Sequence, residues 1–166
     1  MNIALGADHR GYATSQTLSV QLKAAGHKVT ILGDCHGQPC DYPDQAYLVG
    51  KAVSEGDAER GILICGSGIG VSIAANKVPG VRAALVFDDV ASALSRSHND
   101  SNVICLSADT TPPKEILGIV ETWLKTPFEG GRHERRVRKI EAIERGDDPR
   151  TITNGVTTAA SDVTRY

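Results

Sequence analysis

Short apolar runs alternate with amphipathic stretches along most of this chain. Five runs are rich in valine, isoleucine and leucine and are apolar on successive residues: 2–7, 28–32, 61–65, 81–87 and 102–107. Continuous apolar runs of this length are typical of strands buried on both faces of a parallel sheet. We therefore expect five such strands, joined by helices.

The stretches between the runs have helical spacing. Apolar residues recur every three or four positions in three of them: Leu18/Leu22/Ala25, Ala46/Val49/Val53 and Ile116/Ile119/Val120/Trp123. Gly26 stands where a helix would end, and Pro112 and Pro113 stand where one would begin. Repeated strand–helix alternation predicts an α/β fold, a Rossmann-like three-layer αβα sandwich with a five-stranded parallel sheet. We expect one domain over residues 1–146 and a polar C-terminal tail over 147–166, which has no periodicity.

Composition and charge exclude several functional classes. The 166 residues are 40% hydrophobic and 23% charged, with a net charge of −2. This balance gives no sign of a nucleic-acid or membrane-surface partner, and no apolar run approaches the roughly 20 residues of a membrane span. The opening stretch MNIALGADHRG lacks the features of a signal peptide. We therefore expect a cytoplasmic protein.

The four cysteines are expected to be free thiols, as is usual in a reducing cytoplasm. They are Cys35, Cys40, Cys65 and Cys105. The close pair in CHGQPC could form half of a metal site, but no second Cys/His pair with suitable spacing completes it. We expect no bound metal.

Polar, titratable residues flank three of the expected strands. Asp8 and His9 follow the first strand, Cys65 ends the third, and His98 and Asn99 precede the fifth. Parallel α/β sheets bind ligands at the carboxyl ends of their strands, and we expect these three groups to converge on one edge. The alternative is structural: Asp8 would cap a helix, and His98 would bond to a helix C-terminal carbonyl.

The stretch LICGSGIGVSIAANK, residues 63–77, delivers a thiol into a glycine-rich loop before a helix. Gly66, Gly68 and Gly70 would allow backbone N–H groups to approach an anion closely. The loop lacks the Lys-Ser/Thr ending of a P-loop, and it follows the third strand rather than the first. We interpret Cys65 as a base or nucleophile beside an oxyanion hole. The alternative is a small buried hydrophobic residue, as most free cysteines are.

The last helical stretch carries paired arginines. Arg132 and Arg136 lie four residues apart beside His133, and paired guanidinium groups suit a phosphate monoester through forked hydrogen bonds. A solvated basic face is the alternative. Val137, Ile140 and Ile143 are expected to anchor this helix to the domain.

Five motifs together resemble the ribose-5-phosphate isomerase B and galactose-6-phosphate isomerase family. They are GADHRGY, CDYPDQA, GILICGSGIGVSIAANKVPGVRAAL, SRSHNDSNV and FEGGRHERRV, and the resemblance covers about residues 1–145. It implies an aldose–ketose isomerase that moves a proton through an enediolate without a metal or organic cofactor. Ribose 5-phosphate and ribulose 5-phosphate are the expected pair.

The resemblance also implies a role for each site residue. Cys65 would move the proton between C1 and C2, with Ser67 assisting, and His98 would open the sugar ring with Asp8 at the opposite hydroxyl. The implied substrate contacts are the enediolate-binding loop of Gly66, Gly68, Ile69 and Gly70, the sugar ligands Tyr42 and Asn99, and the phosphate ligands His9, Arg132 and Arg136. One branch of the family uses a glutamate at the position of Val71 instead of the cysteine, so this chain resembles the cysteine branch.

The pocket of this family lies between two subunits. The resemblance therefore implies a homodimer or a dimer of dimers in which His98 and the arginines serve a neighbour's Cys65. Two alternatives stay open: another sugar phosphate as substrate (allose or galactose 6-phosphate, or erythrulose 4-phosphate), and a non-catalytic sugar-phosphate-binding subunit.

Overall fold

The computed structural model describes residues 1–153, and its centre is a five-stranded, wholly parallel sheet. The strands are β1 (Asn2–Ala7), β2 (Lys28–Ile31), β3 (Arg60–Cys65), β4 (Ala83–Leu85) and β5 (Val103–Ser107). Their order across the sheet is β2-β1-β3-β5-β4. All five strands predicted from the apolar runs are confirmed, and so is the fold class.

Helices cover both faces of the sheet. They are α1 (Tyr12–Ala24), α2 (Tyr42–Ser54), α3 (Ile69–Ala75), α4 (Asp89–Ser97), α5 (Pro113–Lys125) and α6 (Arg132–Glu144). Leu18 and Leu22 of α1 and Trp123 of α5 pack on one face, and Val49 of α2 and Val71 of α3 pack on the other. Successive strand residues point to opposite faces, so each strand feeds both cores and must be apolar throughout.

Two details of the prediction from the apolar pattern were wrong. β4 covers only residues 83–85 of the expected 81–87, because it is an edge strand with a single partner, β5. Ile140 and Ile143 of α6 are 43% and 61% exposed, and only Val137 of the three expected anchors is buried. Apolar side chains therefore remain uncovered on α6 in a single chain.

The C-terminal segment is described as far as residue 153. α6 ends at Glu144, and a short 3-10 turn follows at Pro149–Thr151, where Asp148 accepts a hydrogen bond from the Arg150 amide. The rest of the expected tail, residues 154–166, lies outside the described residues. Within the described part, none of the helices has the length and apolar character that crossing a membrane requires.

Candidate active site

Cys65 is the last residue of β3, and its thiol lies beneath the glycine loop. The residue is only 4% exposed, and its Sγ accepts a hydrogen bond from the Gly68 amide at 3.1 Å. Gly68 has a φ of +73°, and a Cβ there would lie 2.6 Å from Leu85 Cδ1. Because only glycine satisfies both conditions, the sequence dictates a turn that folds its amide back onto the sulfur. Cys65 is thus held at the start of a loop of backbone donors.

The loop presents further amides and a tyrosine ring. The first α3 amide with a helical acceptor is that of Ser72, which donates to Gly68 O, so the amides of Ile69, Gly70 and Val71 precede the helical ladder. A Cβ on Gly70 would lie 2.6 Å from ring carbons of Tyr42, the first residue of α2.

The loop serine is exposed beside these amides. Ser67 Oγ accepts from the Ile69 amide at 3.3 Å. The Tyr42 ring, the Ser67 hydroxyl and the Cys65 thiol therefore all lie at the glycine loop.

Asp8 lies beside this loop because β1 and β3 are neighbours in the sheet. The Asp8 amide donates to Ile64 O at 3.2 Å, and Asp8 Oδ1 accepts from the amides of Arg10 (2.9 Å) and Gly11 (3.0 Å). Asp8 therefore caps the turn before α1, and the alternative in which it caps the helix was wrong, because the N-cap of α1 is Gly11. The convergence of Asp8 with Cys65 is confirmed. His9 is exposed at the same edge.

An ion pair at the same edge was missed by the sequence analysis. Arg10 donates to Asp109 through Nε (2.9 and 3.0 Å) and Nη2 (2.7 Å). The Asp109 amide donates to Gly66 O, and a Cβ on Gly66 would lie 3.0 Å from Asp109 Oδ2 and 3.1 Å from Arg10 Cδ. The position of Asp109 just after β5 was the available signal, because residues there face the ligand edge.

The four cysteines fall into two different environments, which corrects the expectation of four free thiols. Cys35 and Cys40 form a disulfide, because the loop between β2 and α2 turns back on itself and brings their Cα atoms to 6.2 Å. Cys65 and Cys105 are free. Burial raises the pKa of Cys105 well above its ordinary value, and the neighbouring Cys65 adds to the shift. Cys105 therefore stays a neutral thiol.

Within one chain, His98 lies at the amino ends of the strands, whereas Cys65 lies at their carboxyl ends. The residues that follow it lead into the amino end of β5, where the Gly61 amide donates to Asn102 O, whereas Cys65 pairs with Ser107 at the carboxyl end. Four register steps separate these levels, about 13 Å at the usual rise of a strand. The expected convergence of His98 and Asn99 with Cys65 on one edge is wrong for a single chain, because a helix after a strand returns the chain to the amino edge.

Two arginines hold the turn that follows His98. Asp100 has a φ of +47°, which is unusual for an aspartate. Its carboxylate accepts from the buried Arg96 at 2.7 Å and from Arg82 at 2.8 Å. Arg82 Nε also donates to the Asp100 carbonyl at 3.0 Å. These bonds fix the backbone of the turn that follows His98 and Asn99.

His98 stacks on His133 of α6. Their ring centroids lie 4.1 Å apart with an interplanar angle of 5°. Arg132 Nε donates to His133 Nε2 at 3.2 Å, and Glu129 Oε2 lies 3.9 Å from His98 Nε2 and 3.7 Å from His133 Nε2. The stack joins the turn after α4 to the arginine-bearing helix.

The same three side chains could be considered as metal ligands. Among the described residues, His98, Glu129 and His133 form a group whose ligand atoms lie within 4.8 Å of one another. The rings are stacked in parallel, and the Nε2 lone pair of His133 accepts a hydrogen bond from Arg132. Imidazole lone pairs lie in the ring plane, so these rings do not converge on one ion. The expectation of no bound metal stays a prediction.

The remaining predicted ligands also lie at the amino edge. Asn99 is exposed and lines a cavity of about 220 Å³ with Arg82 and Ile140. Arg132 and Arg136 are exposed on α6. The candidate site thus exists as two halves. The base half comprises Cys65, its glycine loop, Asp8 and Tyr42, and the histidine–arginine half comprises His98, Asn99, His133, Arg132 and Arg136.

Acidification is expected to lower the free energy of unfolding through His133, a residue of the histidine–arginine half. Burial, the neighbouring His98 and the charges of Arg132 and Arg136 lower the pKa of His133 below 6.5, and Glu129 opposes the shift. As pH falls below 6.5, the unfolded chain takes up a proton that the folded chain does not, so the free energy of unfolding decreases. Thermal midpoints measured from pH 8 to 5 should fall less in His133→Asn than in the unmodified protein. An equal fall of the thermal midpoint in both proteins would contradict a lowered pKa of His133.

Comparisons with known proteins place the chain among sugar-phosphate isomerases. Residues 3–140 match the family model described as Ribose/Galactose Isomerase. A structure of ribose-5-phosphate isomerase B from Clostridium thermocellum is 44% identical, with a TM-score of 0.87 over 88% of this chain and 99% of that one. A Mycoplasma genitalium ribose-5-phosphate isomerase B solved with bound ribulose-5-phosphate is also 44% identical, with a TM-score of 0.83 over 87% of this chain and 96% of that one. The D-erythrulose-4-phosphate isomerase of Pectobacterium atrosepticum is 39% identical over 87% of this chain and 95% of its own length.

Proposed function

This chain belongs to the ribose/galactose isomerase family and is an aldose–ketose isomerase of sugar phosphates, and we propose that it interconverts ribose 5-phosphate and ribulose 5-phosphate with Cys65 as the base. The observation that carries the proposal is the Cys65 thiol held beneath a loop of backbone amides. We further propose that the enzyme is cytoplasmic and that it works without a cofactor.

In the proposed reaction, the thiolate of Cys65 removes the proton from C2 of the open-chain aldose and returns it to C1. The Gly68 amide donates a hydrogen bond to the sulfur and holds it at the start of the loop. A positioned base commonly accelerates such a transfer by about 10²- to 10⁴-fold. Cys105 does not compete for this role, because it is buried as a neutral thiol in the middle of β5.

Negative charge develops on O1 as the C2 proton leaves. The amides of Gly70 and Val71 precede the helical ladder of α3 and supply donors for that oxygen, whereas the Ile69 amide donates to Ser67 Oγ. One pre-oriented donor of this type is commonly worth about 3–4 kcal/mol in the transition state. The exposed Ser67 hydroxyl lies in the same loop and is suited to assist proton movement between O1 and O2.

The two halves of the site are proposed to meet between two copies of the chain. Within one chain the two halves lie at opposite ends of the strands, so neither half is complete alone. Near the β4 edge, large apolar side chains stand exposed on two elements: Ile69 and Ile73 on α3, and Val90 and Leu94 on α4. Each pair is spaced by four residues and forms one helical face, as is typical of a buried interface. We propose a homodimer, or a dimer of such dimers, in which His98, Arg132 and Arg136 of one copy serve Cys65 of the other.

A substrate panel tests the proposal. Ribose 5-phosphate should be turned over by the purified chain without a partner and in the presence of EDTA. Erythrulose 4-phosphate is the second candidate, because the chain is 39% identical to an isomerase of that ketose. Faster turnover of the four-carbon substrate would replace ribose 5-phosphate in the proposal. Absence of turnover with either compound, or with allose or galactose 6-phosphate, would favour a non-catalytic sugar-phosphate-binding subunit.

Removing Arg136 is expected to affect substrate binding more than chemistry. Phosphate is bound in both the ground state and the transition state, so Arg136→Ala should raise KM about tenfold or more and change kcat much less. Arg138→Ala is the matched control, because it removes the same charge from an exposed position of the same helix. An unchanged KM for Arg136→Ala, or equal increases in both variants, would exclude a specific phosphate contact.

A further inference from the structure

The loop between β2 and α2 carries a disulfide next to the base half of the site. Cys35 and Cys40 are both half-buried, and their Cα separation of 6.2 Å lies within the usual range for a bonded pair. We propose that Cys35 and Cys40 form a thiol–disulfide exchange site for small-molecule disulfides, and that its oxidation state determines how firmly Tyr42 is held against the glycine loop. The second part rests on the proposed function, because it takes Tyr42 as a substrate contact.

The disulfide lies immediately before the residue that it is proposed to control. Asp41 is the N-cap residue of α2, and Tyr42 is its first helical residue, two positions after Cys40. The Tyr42 ring lies so close to Gly70 that a Cβ there would be 2.6 Å from it. A covalent bond at Cys40 therefore restrains the segment that leads into Tyr42, whose ring contacts the glycine loop.

The two sulfurs of the disulfide contact β1 and α2. Cys35 Sγ lies 3.8 Å from the carbonyl oxygen of Ala7, the residue before Asp8. Cys40 Sγ lies 3.5 Å from Gln45 Nε2 on α2. The disulfide thus links the segment beside Asp8 to the start of α2, and both of these belong to the base half.

The backbone between the two cysteines includes an unfavourable conformation. His36 and Gly37 both have positive φ values, +52° and +74°. A positive φ is unfavourable for histidine, so the turn has a reason to relax when the cross-link is absent. In the reduced form, the Cys35 thiol can donate a weak hydrogen bond to Ala7 O, which keeps the loop nearby without closing it covalently.

The exchange balances as an ordinary two-electron reaction. One cysteine thiolate attacks a sulfur of the small-molecule disulfide and forms a mixed disulfide, and the first small thiolate leaves. The second cysteine thiolate attacks the protein sulfur of the mixed disulfide, closes the Cys35–Cys40 bond and releases the second small thiolate. The protein loses two electrons and two protons, and the oxidant becomes two small thiols.

Oxidation is expected to lower KM because it orders the loop before substrate arrives. A loop that is already fixed loses less conformational entropy on binding. We expect KM for ribose 5-phosphate to be about threefold higher in the reduced protein, with kcat changed less than about twofold.

The test begins by counting thiols. The protein is equilibrated with oxidised glutathione or with dithiothreitol, freed of reagent, unfolded and alkylated. Mass spectrometry should find two alkylated cysteines, Cys65 and Cys105, after oxidation and four after reduction. Four alkylated cysteines in both samples would overturn the proposal.

Kinetics on the same samples then test the coupling to Tyr42. Cys35→Ser/Cys40→Ser should have the KM of the reduced protein under both treatments, and any loss of kcat in this variant reports oxidation of Cys65 instead. Tyr42→Ala should lose the difference in KM between the two redox states, since the loop then has no ring to position. An oxidised protein with unchanged KM would overturn the proposal.

Hydrogen exchange separates this proposal from the proposed function. Amides of residues 41, 42 and 44–46 should exchange more slowly in the oxidised protein than in the reduced one, a comparison that needs no substrate. Equal exchange rates would overturn the redox proposal even in an active isomerase. A difference in exchange without any isomerase activity would leave the exchange site standing, and the proposed function would fail.

Discussion

Cys65→Ala is expected to lower kcat at least about 10²-fold and to change KM only a few-fold, because the base acts on a proton and not on the phosphate. The side chain is 4% exposed, and its Sγ accepts a hydrogen bond from the Gly68 amide, so the thiol is held in one position at the loop. Steady-state kinetics with ribose 5-phosphate measure both constants, and inhibition by inorganic phosphate checks that the phosphate contacts survive. A variant that keeps most of its kcat would refute the assignment of Cys65 as the base.

Cys105→Ala is the matched control for this experiment. Cys105 is the other free cysteine, it is fully buried in the neighbouring strand, and it lies in the same core cluster. Its replacement should lower the free energy of unfolding, because removing buried atoms leaves a cavity. It should leave kcat nearly unchanged. Similar losses of kcat in both variants would indicate damage to the core rather than loss of a base.

Two inactive variants are expected to restore activity when they share a dimer. Cys65→Ala damages the base half, and His98→Asn damages the histidine–arginine half. In a mixed dimer, one site carries both substitutions and the other carries neither. Random assortment of equal amounts makes half of the dimers mixed, so co-expressed chains should recover about a quarter of the unmodified activity.

A pair of variants in the same half provides the control. Cys65→Ala and Asp8→Ala both lie in the base half, so every site of their mixed dimer carries one of the two substitutions. This pair should stay inactive. Recovery of activity by both pairs, or by neither pair at a verified dimeric mass, would contradict a site shared between two copies.

The sheet could be predicted from the sequence because its physical requirement is local. A strand covered on both faces must be apolar on every residue, and 3–7 and 61–65 have this pattern. The glycine loop could be predicted for the same reason. Gly68 is needed for a positive φ and for its close contact with Leu85, so its residue type records the turn directly.

The family's motifs predicted the residues of the site, and the predicted parallel sheet implied where they lie within one chain. His98 precedes β5 and Cys65 ends β3, so the two residues belong to opposite ends of the strands. The Arg10–Asp109 pair was missed because its members are 99 positions apart, and only the adjacency of β3 and β5 brings Asp109 next to Gly66.

The sequence by itself determined the five strands, the helices between them and the thiol in its glycine turn, because each depends on residues close together in the chain. The tertiary structure alone decided the strand order β2-β1-β3-β5-β4, the cross-link of Cys35 to Cys40 and the exposed apolar faces of α3 and α4. These features depend on contacts between distant segments, and no local pattern of residues records them.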